Sequence, residues 1–368
     1  MKIGIIGTRG IPNYYGGFEE FAEFVAPALV KRGHQVIVYN SSLHPYRQSE
    51  WNGVKIITRL DPENRLGTFG QFVYDFNCIL DTHRRKFDVI LQLGYTSSSV
   101  WSWLMPRRPV IVTNMDGLEW KRSRYSNKVQ KFLKLAEKWA AFNSHQLISD
   151  SKEIQSYLKN VYGKSSYYIA YGATLFTKPE ESMLERMSLS KFNYHMLVAR
   201  MEPENNIEMI LEGHMHSSSQ KRLILVGNYN NHFGTYLKNK YTDKRIQFWG
   251  PIYDLQLLNN LRHFSSLYFH GHTVGGTNPS LLEAMASQAL VISHNNVFNK
   301  SVLGPDALYF DSAKDIASLL DKCIDKNEYG EFIHNNNEKI ANFYSWDYIT
   351  NQIEKCFTDA WNEFRGKK

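Results

Sequence analysis

The feature that most constrains the fold is a regular alternation, along the whole chain, of short apolar runs with longer helix-like segments. The apolar runs cover residues 3–6, 35–39, 54–58, 89–93, 110–113, 146–149, 194–199, 222–226, 246–249, 266–269, 290–293 and 308–310. Such an alternation is typical of βαβ units, in which a helix crosses over between two parallel strands. The sequence therefore predicts an α/β protein built on doubly wound, mainly parallel sheets.

The alternation loosens near residues 172–190, which divides it into two series. A chain of 368 residues with 43% hydrophobic residues can bury two separate cores. We expect one Rossmann-like domain at 1–175 and a second at 176–344, followed by a last helix at about 345–368. Ligands bind beyond the carboxyl ends of the strands in such sheets, so two facing sheets predict a cleft between the domains.

A glycine-rich motif, HGHTVGGTNPSLLEAM, follows a predicted strand and covers residues 270–285. It predicts a turn at Gly275 and Gly276 and a helix that begins near Pro279. Backbone N–H groups at a helix start are unpaired and partly positive, and glycines let a phosphate approach them closely. Glu283 could then accept hydrogen bonds from ribose hydroxyls, so the motif fits a nucleoside diphosphate. The alternative is an ordinary strand-to-helix turn in which Glu283 complements the helix dipole.

Arg200 directly follows the predicted strand at 194–199. A guanidinium is permanently charged and can hold two phosphate oxygens at once, which suits a diphosphate. The alternative is a surface ion pair with Glu204, four residues later.

Asp116 follows the predicted strand at 110–113 and is therefore expected at the carboxyl edge of the first sheet. A carboxylate there could orient sugar hydroxyls or take the proton from an acceptor hydroxyl. Glu119 is a second candidate for this role. The alternative for Asp116 is an Asx turn with Gly117.

Histidines and cysteines do not form a recognisable metal motif. His270 and His272 flank the glycine turn and could bond phosphate or sugar, but they lack carboxylates at metal-ligand spacing, so we predict no bound metal. Cys78, Cys323 and Cys356 are scattered, which argues against a disulfide framework or a zinc site and predicts core thiols.

The spacing of Gly4, Gly7 and Gly10 after the first strand raises the alternative of an NAD-dependent oxidoreductase. A dinucleotide-binding chain normally has an acidic residue at the end of the second strand to bind the ribose. This sequence has Asn40 there. Its first loop is also longer than a dinucleotide turn and continues to Gly16 and the glycine after it.

The motif at 274–285 resembles the nucleotide-sugar loop of glycosyltransferase family 4, and in particular that of the bacterial rhamnosyltransferase-like enzymes of surface-polysaccharide assembly. The resemblance extends from the first glycine loop to the last helix. Two positions depart from the family pattern: Gly275 stands where a first Glu is usual, and Asn205 where a phosphate-binding Lys is usual. These departures motivate the alternative of a nucleotide-sugar-binding protein that has lost catalysis.

The resemblance implies a GT-B fold, a last helix that packs back on the first domain, and retention of anomeric configuration. It implies a nucleotide-sugar donor, most readily dTDP-rhamnose, and a glycan or lipid-linked oligosaccharide acceptor, with no cofactor. By resemblance, Asp116 replaces a histidine that contacts the donor sugar. The donor site that we expect consists of Gly16, Gly17, Asn205, Trp249, Gly250, His270, His272, Gly275, Gly276, Thr277 and Asn278, with Asp116, Arg200 and Glu283 as the catalytic residues.

The net charge of +7 and a pI near 9.0 favour an anionic partner. Basic residues concentrate at 121–138, including Arg124, and predict a basic amphipathic helix at about 121–142. The helix could present its lysines to solvent or to an anionic membrane surface. No nucleic-acid module accompanies this helix, so we expect no nucleic-acid partner. No run of residues approaches the ~20 apolar residues of a membrane span, so we expect a cytoplasmic protein. The basic helix would make it peripheral at the inner face of the plasma membrane.

Overall fold

The computed structural model describes residues 1–122 and 125–366, which form two compact units. The first unit comprises residues 1–121, 125–171 and 346–366. The second comprises 172–345 together with Arg122. The sequence-based boundaries at 175/176 and 344/345 fall within a few residues of this division.

The first unit is built on an eight-stranded sheet in the order β3-β4-β2-β1-β5-β6-β7-β8. The strands are β1 (Lys2–Ile6), β2 (Gln35–Ser41), β3 (Glu50–Trp51), β4 (Val54–Arg59), β5 (Val89–Leu93), β6 (Val110–Asn114), β7 (Gln146–Ser149) and β8 (Ser166–Tyr168). Every pairing is parallel except that of the short edge strand β3 with β4. From β1 the chain adds β2 to β4 on one side and then returns to add β5 to β8 on the other side. The switch point of this sheet therefore lies between β1 and β5.

The second unit is built on a six-stranded parallel sheet in the order β11-β10-β9-β12-β13-β14. Its strands are β9 (Tyr194–Val198), β10 (Arg222–Val226), β11 (Ile246–Gly250), β12 (Leu267–His270), β13 (Val291–His294) and β14 (Leu308–Phe310). Buried apolar side chains such as Leu197, Leu225 and Phe269 fill the core on one face.

Helices cover both sheets, as a doubly wound architecture requires. Those of the first unit are α1 (Gly17–Lys31), α2 (Glu63–Leu66), α3 (Phe69–Thr82), α4 (Asn127–Asn143) and α5 (Lys152–Tyr162). Those of the second are α6 (Ser182–Glu185), α7 (Ile207–His216), α8 (His232–Lys240), α9 (Leu255–Phe264), α10 (Pro279–Ala286), α11 (Val297–Leu303), α12 (Ala313–Asp321) and α13 (Gly330–Phe343). Short 3₁₀ helices lie at Ser98–Leu104, Glu119–Lys121, Pro203–Asn205 and Lys326–Tyr329.

The last helix, α14 (Trp346–Gly366), belongs to the first unit and packs on α1. Trp346 stacks on Phe24 of α1 with the ring centroids 4.4 Å apart. Glu354 accepts a hydrogen bond from Arg32 at 3.0 Å and lies 2.8 Å from the Nε2 atom of His34. Aromatic stacking and charge pairing thus return the end of the chain to the first unit.

The basic helix differs in two respects from the expectation. It begins at Asn127 instead of Lys121, because residues 119–121 form a separate 3₁₀ turn; Arg124 lies outside the described residues. Lys134 is turned inward, where it donates to the buried carboxylate of Glu137 at 3.0 Å and lies 4.4 Å from the ring of Trp120. The exposed basic face of α4 is therefore narrower than the sequence pattern predicts.

Glu137 is a junction of several elements of the first unit. It is 2% exposed and accepts hydrogen bonds from the hydroxyls of Tyr157 and Tyr162, both at 2.6 Å, and from the indole of Trp120 at 3.1 Å. These donors come from α5 and from the loop after β6. One buried carboxylate thereby ties α4 and α5 to the loop that carries Asp116.

Cys78 and Cys356 are buried, as expected, but Cys323 is exposed in a left-handed turn after α12, so the prediction of a core thiol is wrong at this position. Over the described ranges, none of the helices combines the length and apolarity needed to cross a bilayer.

Candidate functional site

The switch point of the second sheet lies between the neighbouring strands β9 and β12. From β9 the chain winds outward through β10 to β11, and after β11 it returns to β12 on the other side. Loops that leave two such strands diverge in opposite directions and open a crevice at the carboxyl edge, where doubly wound sheets bind ligands. Arg200 and the glycine motif are carried by the loops that leave β9 and β12.

The two loops at this switch point are fastened to each other. Thr273 donates to the carbonyl oxygen of Glu204 through its backbone N–H, at 3.1 Å, and through its hydroxyl, at 2.8 Å. The side chain of Asn206 donates to the carbonyl of Gly271 at 2.9 Å. A Cβ atom on Gly271 would lie 2.1 Å from the carbonyl oxygen of Asn205, so only glycine permits this approach. The crevice therefore has a fixed wall.

Arg200 is exposed at the end of β9, with its backbone held by Asn205. The buried side chain of Asn205 donates to the carbonyl oxygen of Arg200 at 2.7 Å. Asn205 thus closes the turn that presents Arg200, a role that a lysine could not fill with the same geometry. Glu204 forms an ion pair with Arg122, at 3.8 Å.

The start of α10 is anchored across both strands of the switch point. Asn278 caps the helix by accepting from the backbone N–H of Ser280 at 2.9 Å. The Ser280 hydroxyl lies 2.6 Å from that of Tyr268 in β12 and donates to the carbonyl of Val198 in β9 at 3.3 Å. The positive end of the helix dipole is therefore held at the crevice, as an anion site requires.

The glycine turn uses a conformation that a side chain would strain. Gly275 has φ of +126°, and a Cβ atom built there meets no atom within 4 Å. Space alone would admit the glutamate that the family pattern has here, but the backbone would not without strain. Thr277, later in the turn, is 3% exposed and contributes to packing.

His270 and His272 form a stacked pair, with the ring centroids 4.4 Å apart and the planes inclined by 15°. Burial lowers the pKa of His270 well below its usual range, with the neighbouring His272 adding to the effect. The pKa of His272 is lowered to about 3 by burial and then by the positive charges of Arg200 and Arg122. Both imidazoles are neutral near pH 7, so they can donate hydrogen bonds but cannot neutralise a phosphate.

Glu283 lies in the second turn of α10 and forms an ion pair with Arg262 of α9. The guanidinium is 1% exposed, whereas the carboxylate is 25% exposed. Arg262 also donates to the side chain of Asn259 at 2.9 Å. One oxygen of Glu283 is thereby held from the protein side while the carboxylate keeps access to solvent. No sequence signal reveals Arg262, which is 21 residues away and reaches Glu283 only through the packing of α9 on α10.

Trp249 and Gly250 end the edge strand β11, two strands from β9. The indole of Trp249 is half-buried and donates to the side chain of Gln247 at 3.1 Å. Gly250 has φ of +76°, and its carbonyl accepts from the backbone N–H of Gly227 at 2.9 Å. These residues lie at the same carboxyl edge but further along the sheet.

In the first unit, Asp116 lies after β6 with φ of +52°. Its backbone N–H donates to the side chain of Asn114 at 3.0 Å, so Asn114 forms an Asx turn at this loop. The Asp116 carboxylate is partly exposed. Its charge adds to burial in raising the pKa of the neighbouring Asp150 well above its usual range. Glu119 is buried.

The loop between β1 and α1 ends at Gly16, just before Gly17 begins α1, and is clamped by Asn40. Asn40 is 0% exposed; its side-chain oxygen accepts from the backbone N–H of Ile11 at 3.1 Å, and its side-chain amide donates to the carbonyl of Ile11 at 2.8 Å. A side chain engaged in this way is not available to a ribose. The hydrogen bond that a residue at the end of β2 would make to the ribose of a dinucleotide is therefore not available from Asn40.

Comparison with known proteins identifies the fold. Residues 109–174 match a family described as "Domain of unknown function (DUF1972)". A search of curated proteins finds no match. Among solved structures, the chain is similar to sucrose-phosphate synthase from Thermosynechococcus elongatus, with a TM-score of 0.80 and 17% identity over 98% of this chain and 99% of that one. It is also similar to HepE from Anabaena in complex with UDP-glucose, with a TM-score of 0.75 and 14% identity over 97% and 99% of the two chains.

A third similar structure is alpha,alpha-trehalose 6-phosphate synthase from Burkholderia multivorans, with a TM-score of 0.71 and 10% identity over 98% of both chains. The fold is GT-B. In the second unit of this GT-B chain, the candidate residues fall into two groups. Arg200, the histidine pair and the glycine turn with α10 lie at the switch point, whereas Trp249 and Gly250 lie at the edge strand.

Proposed function

We propose that the protein is a glycosyltransferase that moves a sugar from a nucleotide-sugar donor to a hydroxyl of a glycan or lipid-linked acceptor. The observation that carries the proposal is the convergence of an exposed arginine, a capped helix start and a glycine turn at the switch point of the second GT-B unit. In this proposal Arg200 and the backbone N–H groups before α10 hold the diphosphate. Glu283, oriented by Arg262, accepts hydrogen bonds from the ribose hydroxyls.

Donor and acceptor classes are supported by what similar structures contain. Solved structures of HepE hold UDP-glucose, UDP, or UDP with glucose. For this chain we propose dTDP-rhamnose as the donor, because the motif at 274–285 resembles that of rhamnosyltransferase-like enzymes of surface-polysaccharide assembly.

Charge developing on the departing diphosphate needs stabilisation. We assign this to the permanent charge of Arg200 and the dipole of α10, without a metal ion. His270 is completely buried and His272 is partly buried, and both are neutral, so neither supplies charge to the diphosphate. Loss of Arg200 is therefore expected to be the most damaging single change.

Retention of configuration follows, in this proposal, from a front-face transfer. The bond between the anomeric carbon and the donor phosphate oxygen breaks while the acceptor oxygen bonds to the same face of that carbon. The acceptor proton passes to an oxygen of the leaving diphosphate, so no protein carboxylate has to take it. Asp116 of the first unit orients sugar hydroxyls in this scheme.

A thermal-shift panel of dTDP, UDP and GDP with their sugars tests donor binding, because a ligand that binds the native state raises the melting temperature. We expect the largest shift with a dTDP-sugar, retained in EDTA and lost in Arg200→Ala. Arg186→Ala, another exposed arginine of the second unit, is the matched control and should keep the shift. An equal shift in Arg200→Ala and in the unaltered chain would refute the site.

Turnover separates an enzyme from the alternative of a non-catalytic binding protein. Labelled dTDP-rhamnose is incubated with a bacterial glycolipid extract, and transfer of label to the lipid phase is measured. Donor binding without transfer to any acceptor fraction would favour the binding protein.

We also propose that α4 places the first unit on an anionic membrane surface. Its exposed face carries Lys128, Lys131 and Lys138 together with Leu135, 43% exposed, and Phe142, 53% exposed. Each lysine near an anionic surface contributes about 1 kcal/mol to the free energy of membrane binding. Exposed apolar side chains strengthen binding further by inserting into the membrane interface. A lipid-linked acceptor would be reached from such a position.

Sedimentation with vesicles of phosphatidylcholine and phosphatidylglycerol tests this surface. Replacing Lys128, Lys131 and Lys138 by alanine should weaken binding by about a hundredfold, since about 1 kcal/mol per lysine corresponds to roughly fivefold each. Replacing Lys86, Lys152 and Lys159, three exposed lysines of the first unit outside α4, is the matched control. Equal losses in the two variants would indicate attraction by net charge alone.

A further inference from the structure

The loop between β1 and α1 exposes two adjacent aromatic side chains. Tyr14 is 75% exposed and Tyr15 is 67% exposed. The loop leaves β1 at its carboxyl end, beside the switch point of the first sheet. Exposed aromatic rings in neighbouring positions at such an edge are typical of a binding surface.

The loop is held rigidly although its tyrosines are exposed. The buried Glu19 accepts from the backbone N–H of Arg9 at 2.7 Å and from the hydroxyl of Thr8 at 3.1 Å. The backbone N–H of Tyr15 donates to the side chain of Asn13 at 3.0 Å. With the clamp of Asn40 on Ile11, these bonds fix the loop before any ligand arrives, which lowers the entropy cost of binding.

Arg9 supports the ring of Tyr15 from one side. The central carbon of the guanidinium lies 3.7 Å from the ring centroid. The same guanidinium is held in place by Glu63, with Nη2 2.8 Å from Oε1 and Nε 3.2 Å from Oε2. Glu63 in turn accepts from Gln71 at 2.9 Å. Since one face of Tyr15 is covered by Arg9 and the residue is still largely exposed, the ring offers its other side to a ligand.

The charges around the loop select the class of ligand. Only Arg9 is basic, whereas Glu19, Glu20 and Glu23 of α1 and Glu63 are acidic; Glu23 accepts from the backbone N–H of Asn13 at 3.1 Å. The negative charge of these carboxylates disfavours the binding of phosphates, nucleic acid and anionic lipid. It suits an uncharged ligand with an apolar face and many hydroxyl groups, which a pyranose ring is.

We propose that Tyr14 and Tyr15, with Tyr15 supported on its covered face by Arg9, form a platform on which a sugar ring of the acceptor glycan stacks. Identifying the bound sugar as the acceptor rests on the proposed glycosyltransferase function. Sugar binding by the tyrosines does not depend on the donor site. The platform belongs to the first unit alone.

Saturation-transfer-difference NMR with methyl glycosides of rhamnose, glucose, galactose and N-acetylglucosamine tests the platform in the absence of any nucleotide. At least one glycoside should receive saturation, and the double variant Tyr14→Ala with Tyr15→Ala should bind it about tenfold more weakly, as expected for loss of aromatic stacking. Tyr15→Trp should retain binding. Arg9→Lys keeps the charge but loses the planar support, and binding should fall between the two.

Trp103→Ala is the matched control, because Trp103 is an aromatic residue of the first unit that is exposed to the same 75%. It should leave glycoside binding unchanged, and circular dichroism checks that all variants are folded. Absence of saturation for every glycoside, or equal saturation in the double variant, would overturn the proposal. Loss of vesicle binding in the double variant without any glycoside binding would assign the tyrosines to a membrane instead.

The same variants distinguish this proposal from the donor site. Thermal shifts with dTDP- and UDP-sugars should be unaffected by the tyrosine substitutions. Failure of the nucleotide panel with intact glycoside binding would refute the proposed function and leave the platform, whereas the reverse result would refute the platform only.

Discussion

Glu283 accepts a charge-assisted hydrogen bond from Arg262, and the two partners differ in burial, with the guanidinium 1% and the carboxylate 25% exposed. Removal of one partner leaves the other charge uncompensated, and the cost depends on how deeply that charge is buried. The two halves of this pair are therefore not equivalent in their effect on stability.

We expect Glu283→Ala to lower the free energy of unfolding by about 3 to 5 kcal/mol, because it leaves a buried guanidinium unpaired. Arg262→Met should cost clearly less, since methionine fills the buried volume and the remaining carboxylate reaches water. Calorimetric unfolding of both variants measures the difference. An equal or larger loss for Arg262→Met would contradict the assignment of burial.

Two glycines near the crevice should respond differently to alanine. Gly271→Ala brings a Cβ atom to 2.1 Å from the carbonyl oxygen of Asn205 and must displace the fastened loops, so we expect a large loss of stability and of nucleotide-induced thermal shift. Gly275→Ala meets no atom within 4 Å and costs only the strain of its positive φ, about 1 to 3 kcal/mol. Thermal unfolding with and without dTDP compares them.

His272 should make the second unit sensitive to acid. The unfolded chain binds a proton at this residue below its ordinary pKa of 6.5, whereas the folded chain does so only near its lowered pKa of about 3. The free energy of unfolding therefore falls as the pH falls below 6.5, by about 2 kcal/mol at pH 5. The buried His270, whose pKa is also lowered, adds its own share to the loss. His272→Gln should remove about 2 kcal/mol of the loss, as judged by unfolding at pH 7.5 and 5. His216→Gln, exposed at the end of α7, should not.

Asp75 should have the opposite effect in the first unit. Burial raises its pKa to about 7, and the negative charge of Asp61 adds to this, although a 2.6 Å hydrogen bond from Ser97 opposes it. The folded chain keeps the proton up to about pH 7 and the unfolded chain loses it near pH 4, so the free energy of unfolding falls as the pH rises between these values, by ~4 kcal/mol.

Asp75→Asn should abolish that pH dependence and stabilise the first unit at pH 8. Denaturant unfolding at pH 5 and pH 8 measures the effect, with Asp347→Asn, exposed on α14, as the control. A variant that is less stable than the unaltered chain at pH 8 would show that folding favours the ionised form of Asp75, which contradicts its raised pKa.

Much of the fold could be predicted from the sequence because buried parallel strands are short, continuous apolar runs. All twelve such runs coincide with strands to within one or two residues. The two strands that were missed, Glu50–Trp51 and Ser166–Tyr168, have two and three residues, and none of these is buried. The apolar pattern on which the prediction depends is lacking there.

The candidate site could be predicted only in part. Parallel topology places every strand end at one edge, so the positions of Arg200 and the glycine turn follow from the sequence. The pairing of Arg262 with Glu283 depends on the packing of α9 on α10. The inward turn of Lys134 depends on the burial of Glu137 in the same helix, and the bond from Asn205 to the backbone of Arg200 depends on the local turn. Helical periodicity treats Lys134 like its exposed neighbours, because it does not show that Glu137, three residues later in the same helix, is buried.

The junction at Glu137 has a consequence for how this unit can diverge. The buried face of α4 is held by the hydrogen bonds of Glu137, and the exposed lysines of α4 take no part in them. Residues on the exposed face can therefore be substituted with little effect on stability. Related proteins could therefore carry different surface residues on α4, and so bind a different partner there, while they keep the buried contacts of Glu137.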